Sequence, residues 1–292
     1  MGKTVYLNLK GRLGNQFFQY WCGKWVADQL NATLKINVNE PFQINLCIYP
    51  NVRFNITHHV PVNIDPDNGQ WAGHDDYSRN SLSIEKIVEM ERIYEANPQL
   101  NKGRINRTVY LDGHFEDYSI IRPHTDYVKN LFKRAPSYQQ VCNNHMVVHL
   151  RLGDVASNNS DEYLVNNYIA LAVFAMEHTV VPMNLEGIYI ISEELNHPIV
   201  EKMVDALAMK NGNVKVRAGD YQSDFDVISS AKVIVASNST FSWWASFTNP
   251  FDPVVYIGLS EKQPVPTRNE TLFRRDSPDS WNLWDMDARK FL

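Results

Sequence analysis

The strongest constraint on the fold is a rhythm in the second half of the chain. Five apolar runs of strand length, at 145–150, 187–192, 213–216, 233–236 and 254–258, alternate with helical spacing at about 162–176, 198–209, 224–230 and 241–247. Strand, helix and strand repeated in this order describe a doubly wound parallel sheet, covered by helices, with ligands bound at the carboxyl ends of the strands. The first half opens the same way, with a strand over 4–9, a turn over 10–15, a helix to about Leu30 and a strand over 33–38. From about 40 to 80 the chain is rich in Asn, Pro, Asp and His and reads as long loops. Helical spacing returns over 81–95, and 107–111 reads as a strand. Two strand-turn-helix openings about 140 residues apart point to two related half-domains, whose interface is the natural place for a site.

Length and charge agree with this and exclude several classes. The 292 residues are ample for two domains with real cores. With 28 Lys and Arg against 33 Asp and Glu the net charge is −5, so the clustered cations of a nucleic-acid binder are not expected. Cys22, Cys47 and Cys142 are widely spaced, without CxxC or Cys/His ligand spacing, which argues against a disulfide framework or a zinc site and for a reducing compartment. The opening MGKTVYLNLKGRLGNQ has no apolar leader region, and the longest apolar run, near Tyr168 to Met176, is far short of the roughly 20 residues that span a bilayer. The expectation is a soluble, cytoplasmic protein with no membrane insertion and no nucleic-acid partner. Sequons at Asn31, Asn55, Asn106, Asn158, Asn238 and Asn269 carry little weight, because so short a motif arises by chance.

Three strand ends carry chemistry. The first is Gly11-Arg12-Leu13-Gly14-Asn15-Gln16, after one strand and opening a helix. Its glycines allow close backbone approach to a ligand and its helix-start amides favour an anion; a tight turn with a helix cap explains the same residues. The segment is neither GxGxxG nor a P-loop, which removes a dinucleotide or ATP reading and makes a Rossmann dehydrogenase improbable. The second is Val147-Val148-His149-Leu150-Arg151-Leu152-Gly153-Asp154. A strand-end arginine suits bidentate hydrogen bonds to phosphate, and His149 can orient a base or ribose; a buried core histidine and an Arg151–Asp154 ion pair are the plain alternatives. The third is Ser237-Asn238-Ser239-Thr240-Phe241-Ser242-Trp243-Trp244. Ser239 and Thr240 can cap the following helix or cradle a diphosphate, while the two tryptophans read as helix packing. Asp224 can accept two N–H bonds from a guanine edge, or cap the helix that follows it.

These segments also carry a resemblance. GRLGNQFFQY resembles the G-G-L-G-N-Q-M/F-F-Q-Y signature, VVHLRLGD the H-x-R-R-G-D motif and ASNSTFSWWAS the S-N-S-S/T-F-S-W-W-G/A motif of the α-1,2-fucosyltransferases of glycosyltransferase family 11. Leu111-Asp112-Gly113-His114-Phe115-Glu116 is similar to the family's G-Y-F-Q segment, Ile190-Ile191-Ser192-Glu193-Glu194 to F-S-D-D, and Pro278-Asp279-Ser280-Trp281 to P-D-S-W. The matches keep family order from residue 5 to about 281; residues 40 to 105 show none.

The resemblance implies an α/β protein of GT-B type, two facing Rossmann-like domains with a cleft between them. It implies an acceptor-side domain over 1–140, a GDP-sugar-binding domain over 141–270 and a C-terminal segment over 271–292 that can pack back on the first domain. The reaction it implies is inverting transfer of L-fucose from GDP-β-L-fucose to a galactose-containing oligosaccharide, with no metal and no cofactor beyond the donor. Carried over by position, Arg151 meets the β-phosphate, and His149 and Asp224 approach the guanosine. Ser239, Thr240 and Phe241 hold the diphosphate and pack on the nucleotide, Ser192 lies in the F-S-D-D segment, and Gly14, Asn15 and Gln16 face the donor. Preorganised donors at the departing diphosphate then carry most of the catalysis, with Arg151 foremost. Asp154 and Glu116 are candidates for a general base, each also explicable as structural. Two departures stand out: Leu152 replaces the second motif arginine, and Arg12 replaces a glycine and can restore that cation from the first domain. Rival readings are a metal-dependent GT-A transferase using a D-x-D at Asp65/Asp67, Asp224/Asp226 or Asp285/Asp287, a non-catalytic GDP-sugar or glycan-binding module, and a transferase with another GDP-sugar or linkage.

Overall fold

A computed structural model describes residues 3–38, 43, 44, 46, 48–53, 55–57, 70–72, 84–97, 99, 108–111, 113–116, 118–135, 142–152, 161–180, 183–211, 213–237, 239–259, 278, 280–285, 290 and 291. The chain divides into two compact units, Met1–Pro136 and Ser137–Leu292.

In the first unit, β1 (Thr4–Leu9) alternates buried Val5, Leu7 and Leu9 with half-exposed neighbours, as a pleated strand must. A sharp turn then leads into α1 (Leu13–Gln29). This helix buries Phe17, Phe18, Tyr20 and Trp21 together, so it is a core helix and not a one-sided surface helix. Gly23 lets it lie close on the sheet, since a Cβ there would meet the Leu7 side chain at 2.9 Å. The remaining elements are β2 (Thr33–Val38), β3 (Asn55–Thr57), β4 (Gln70–Ala72), α2 (Ile84–Ala96), β5 (Thr108–Leu111), the single turn α3 (Tyr118–Ile121), a 3-10 turn at Arg122–His124 and α4 (Thr125–Leu131). The sheet is parallel in the order β3-β2-β1-β5-β4. Phe132, just past α4, stands edge-on to Phe17 at 4.6 Å between centroids and ties this end of the unit to α1.

The second unit contains β6 (His145–Leu150), α5 (Asp161–Ala175) running into a π-helical turn at Met176–Val180, β7 (Gly187–Ser192), α6 (Pro198–Asn211), β8 (Val214–Arg217), α7 (Tyr221–Ile228), β9 (Val233–Ala236), α8 (Thr240–Phe247), β10 (Val254–Leu259), β11 (Asn282–Asp285) and β12 (Lys290–Phe291). Its sheet runs β12-β11-β10-β9-β6-β7-β8, parallel except for the antiparallel pairing of β11 with β12. Met146, Val148, Leu150, Ile188, Ile190 and Val235 from the strands pack with Leu171, Ala175, Met203 and Leu207 from α5 and α6. Each fully buried Leu or Ile in this layer stabilises the unit by about 1.5–3 kcal/mol.

The strands at 4–9, 33–38, 145–150, 187–192 and 233–236 have the boundaries read from the sequence. Four local readings need correction. The turn expected over 10–15 ends early, because α1 already begins at Leu13. The helix expected from Asp224 begins at Tyr221, where Asp220 caps it by accepting a hydrogen bond from the Ser223 amide. The loops expected over 40–80 include β3 and β4, whose pairing with β2 and β5 makes strands of them. The C-terminal segment, expected to pack back on the first domain, supplies β11 and β12 of the second sheet where it is described, with Asn282 Nδ2 donating to the Val255 carbonyl. Among the described residues no helix is long and apolar enough to cross a membrane. Cys22 and Cys142 are free and buried; Cys47 lies outside the described residues.

Candidate active site

In the second sheet the strand order reverses between β6 and β9, the place where doubly wound sheets open a crevice at their carboxyl ends. Two of the sequence segments meet there. Arg151, half-buried just after β6, donates from Nη1 to the Ser239 hydroxyl at 3.4 Å. Ser239 is the N-cap of α8, with extended backbone and a side chain that accepts from the Phe241 amide at 3.3 Å. A guanidinium therefore stands beside a helix start whose partial charge is also positive, and no acidic residue lies in that first turn. The pair is unfavourable for a cation and well suited to an anion with several oxygens.

His149 is buried, and its Nδ1 lies 2.7 Å from Ser237 Oγ at the end of β9. Burial first, and the Arg151 charge second, lower its pKa from 6.5 to about 3, so the imidazole is neutral and contributes hydrogen bonds, not charge. Phe241 is half-buried, its ring 5.5 Å from the His149 ring and 5.3 Å from Phe225, leaving an apolar wall beside the polar strand ends. Thr240 is buried in the first turn of α8, and Trp243 and Trp244 are fully buried as helix packing. Ser192 is buried at the end of β7 and accepts from the Glu194 amide at 3.2 Å.

Asp224 lies in the first turn of α7, where the helix N-terminus favours a carboxylate. Both its oxygens accept from the Gly219 amide, at 3.0 and 3.1 Å, and Oδ1 also accepts from Arg217 Nε at 3.3 Å. Burial raises its pKa, opposed by the Gly219 amide and Arg217. A Cβ at position 219 would stand 2.8 Å from Asp224 Oδ1, so this approach needs glycine. Arg217 and Gly219 were not singled out from the sequence; their signal is a strand-end arginine followed two residues later by a glycine. Asp154 and Asn238 lie outside the described residues.

The first unit makes a second, separate constellation at the carboxyl ends of β1 and β5. Gly11 holds φ +73°, a left-handed turn that a side chain resists. Gly14, Asn15 and Gln16 sit in the first turn of α1, not in a loop. Gln16 donates to the Gly11 carbonyl at 3.1 Å and accepts from the Gln43 amide at 2.8 Å, and Gln43 Oε1 accepts from the Leu13 amide at 2.6 Å. Gln19 likewise holds both backbone groups of Lys10. Gln16 is thus a tie that fixes the turn. Arg12 is exposed at the N-cap position and makes no side-chain cap. Asn15 Nδ2 lies 3.5 Å from His114 Nδ1, which lies 3.5 Å from Glu116 Oε1. Glu116 is buried, and between the two acid–base groups Phe115 is fully buried at φ +55°. His114, Gln19 and Gln43 were missed in the sequence, where nothing distinguishes them from loop and helix polar residues.

Among the described residues no group of three or more His, Cys, Asp and Glu side chains is disposed to hold a metal ion. Asp224 and Asp226 lie within α7, not after a strand as a GT-A D-x-D requires; Asp65, Asp67 and Asp287 lie outside the described residues.

No protein-family model matches the chain. Over 95% of its length it is 22% identical to an alpha-1,2-colitosyltransferase of Escherichia coli, covering 97% of that protein. The structure of an Arabidopsis thaliana FUT1 mutant in complex with GDP matches all of this chain over 78% of its own length, with TM-score 0.55 and 11% identity. POFUT1 in complex with GDP matches over 88% of this chain and 98% of its own, with TM-score 0.49 and 12% identity. The fold is of GT-B type, α/β with two sheets that are parallel but for the β11–β12 pair, and the chain is similar to glycosyltransferases of the fucosyltransferase-like kind.

Proposed function

We propose that the chain is an inverting glycosyltransferase that moves L-fucose from GDP-β-L-fucose to a hydroxyl of a galactose-containing glycan, the 2-OH of galactose, without a metal or cofactor. The observation that carries this reading is the meeting of Arg151, the Ser239 cap and the start of α8 at the reversal of strand order. As the bond from the sugar anomeric carbon to the phosphate oxygen lengthens, negative charge grows on the departing GDP. Arg151 and the amides at the start of α8 are already oriented to receive it, so they stabilise the transition state more than the ground state. Neutral His149, steadied by Ser237, and the Phe241 ring form the wall against which a nucleoside packs, and the Asp224 carboxylate, held by the Gly219 amide and Arg217, offers its remaining lone pairs to a base edge. The same site serves other GDP-linked deoxy sugars equally well at the diphosphate. The likeness to a colitosyltransferase makes GDP-colitose the specific second candidate, since colitose differs from L-fucose by a missing 3-hydroxyl.

The test is a panel of GDP-sugars against galactose-terminated acceptors, with GDP release measured and the linkage read by NMR, in the presence and absence of EDTA. Transfer from GDP-fucose that survives EDTA is the expected result. Transfer from GDP-colitose alone would move the donor assignment, and GDP-sugar binding without GDP release would reduce the protein to a binding module.

A further inference from the structure

The carboxyl end of β8 brings a second arginine to the nucleoside side of the second unit. We propose that Arg217 is a positioning residue that sets base specificity: by engaging one oxygen of Asp224 it leaves the other to the base, and so makes the site prefer guanine to adenine. The inference rests on the GDP-sugar reading above and deepens it, since that reading uses Arg217 only to hold a carboxylate.

Arg217 is the last residue of β8 and pairs in register with Ile191, one residue before the buried Ser192, so it stands at the carboxyl edge of the sheet. Two hydrogen bonds fasten it to the first turn of α7. Its Nε donates to Asp224 Oδ1 at 3.3 Å, and its Nη2 donates to the Ser223 hydroxyl. Glycine at 219 makes room for both side chains, since a Cβ there would lie 2.8 Å from Asp224 Oδ1 and 3.3 Å from Arg217 Nη2. The Gly219 amide bridges the two carboxylate oxygens at 3.0 and 3.1 Å. Of the roughly four lone-pair directions of a carboxylate, these bonds take both at Oδ1 and one at Oδ2, and the acceptor left over is on Oδ2. Phe225, the next residue of the helix, is fully buried with its ring 5.3 Å from Phe241, which in turn lies 5.5 Å from the His149 ring. The carboxylate therefore stands one residue from the wall on which a base packs.

Guanine carries N–H donors at N1 and at its 2-amino group, whereas adenine has a bare N1 acceptor and no amino group at C2. A carboxylate oxygen held against that edge gains a charge-assisted hydrogen bond from guanine and meets a lone pair on adenine. Both effects need a carboxylate that is ionised and fixed. Burial raises the pKa of Asp224 and the Asp220 carboxylate adds to the rise, while the Gly219 amide and Arg217 oppose it. Arg217 supplies the cation of that balance. Without it the carboxyl takes up a proton more readily and turns more freely about its side-chain bonds, and both effects weaken.

The experiment measures GDP and ADP binding by calorimetry for the unaltered protein, Arg217→Met, Arg217→Lys, Asp224→Asn and the double variant of Arg217→Met with Asp224→Asn. The unaltered protein is expected to prefer GDP by roughly 10- to 150-fold, as one hydrogen bond to a charged group allows. Arg217→Met is expected to lower that preference by about tenfold through weaker GDP binding. Its ADP affinity stays unchanged, which shows a folded protein with its diphosphate site intact. Arg217→Lys recovers part of the preference, because an ammonium can reach Oδ1 but lacks the fork that also holds Ser223. In the Asp224→Asn background the Arg217→Met change has no further effect on the preference, since the arginine acts through that carboxylate. The Arg217 side chain is 33% exposed on an edge strand, and Arg217→Lys decides the matter if Arg217→Met does not fold, a full preference in the lysine variant with weakened binding of both nucleotides counting against the proposal. An Arg217→Met protein that keeps the full preference, or loses GDP and ADP affinity equally, overturns the proposal while the GDP-sugar reading stands. Equal binding of GDP and ADP by the unaltered protein overturns the base contact of Asp224 and this inference with it. No GDP binding by the unaltered protein overturns the GDP-sugar reading itself.

Discussion

His149 offers a quantitative check on the site, because its environment fixes both the sign and the size of an effect. In the folded chain its pKa is lowered from 6.5 to about 3, mainly by burial and secondly by Arg151. Below pH 6.5 the unfolded chain binds a proton at this residue that the folded chain refuses, so stability falls as pH falls, through the window from 6.5 down to about 3. Between pH 7 and pH 5 the folded form stays neutral and the difference is set by the unfolded form, which gives a loss of about 2 kcal/mol from this one residue. Near pH 3 the loss approaches about 5 kcal/mol, at about 1.4 kcal/mol per pH unit. His149→Gln keeps a hydrogen-bonding group for Ser237 but does not titrate. Urea unfolding of both proteins at pH 7 and pH 5 cancels every titrating group they share. The loss on acidification should be smaller in the variant by about 2 kcal/mol, whatever the variant costs at pH 7. Equal losses in the two proteins would refute the neutral, buried imidazole and with it the assignment of His149 as a hydrogen-bonding wall.

Two further outcomes follow from the same geometry. Arg151→Met should weaken GDP binding by about 1.5–3 kcal/mol, roughly 10- to 150-fold by calorimetry, as expected for losing a hydrogen-bonded charge; Arg151→Lys should recover only part, because an ammonium lacks the guanidinium fork. Gly11→Ala should lower stability by about 1–2 kcal/mol in thermal or urea unfolding, since it forces a side chain into left-handed backbone. Its Cβ would also lie 2.7 Å from Asn15 Nδ2 and displace the amide that faces His114.

The long apolar strands were legible because each is a run of buried residues bounded by turn chemistry, as in His145–Leu150 and Val233–Ala236. Asn55–Thr57 and Gln70–Ala72 were not, because three residues carry no period; they are strands only because β2 and β5 offer them partners. The same holds for Asn282–Asp285, whose pairing with β10 is a tertiary fact. At the site, Arg151 and Ser239 could be placed from their positions after strands, since strand ends converge at a reversal of strand order. The roles of Asp224 and Gln16 could not. Asp224 was read as a guanine contact or a cap; the cap is Asp220, and the Gly219 and Arg217 bonds that hold the Asp224 carboxylate have no sign in the sequence. Gln16 was read only as facing a ligand; the bonds of its side-chain amide to Gly11 and to Gln43, the latter 27 positions away, could not be read. Side chains that close loops over such distances leave no local pattern to read.

The start of α8 sets a limit on how such a chain can change. Seven of its eight residues are buried, and Ser242 and Ser246 turn their hydroxyls back onto the backbone of the same segment. A helix enclosed in this way neither frays nor slides, so its first turn presents amides at one fixed place to whatever oxygens arrive. Selectivity for one sugar over another has little room to evolve within residues 239–247, where each substitution is felt first as a packing defect. An effort to redirect donor choice would do better to leave the seven buried residues of that helix intact and diversify the half-buried Phe241.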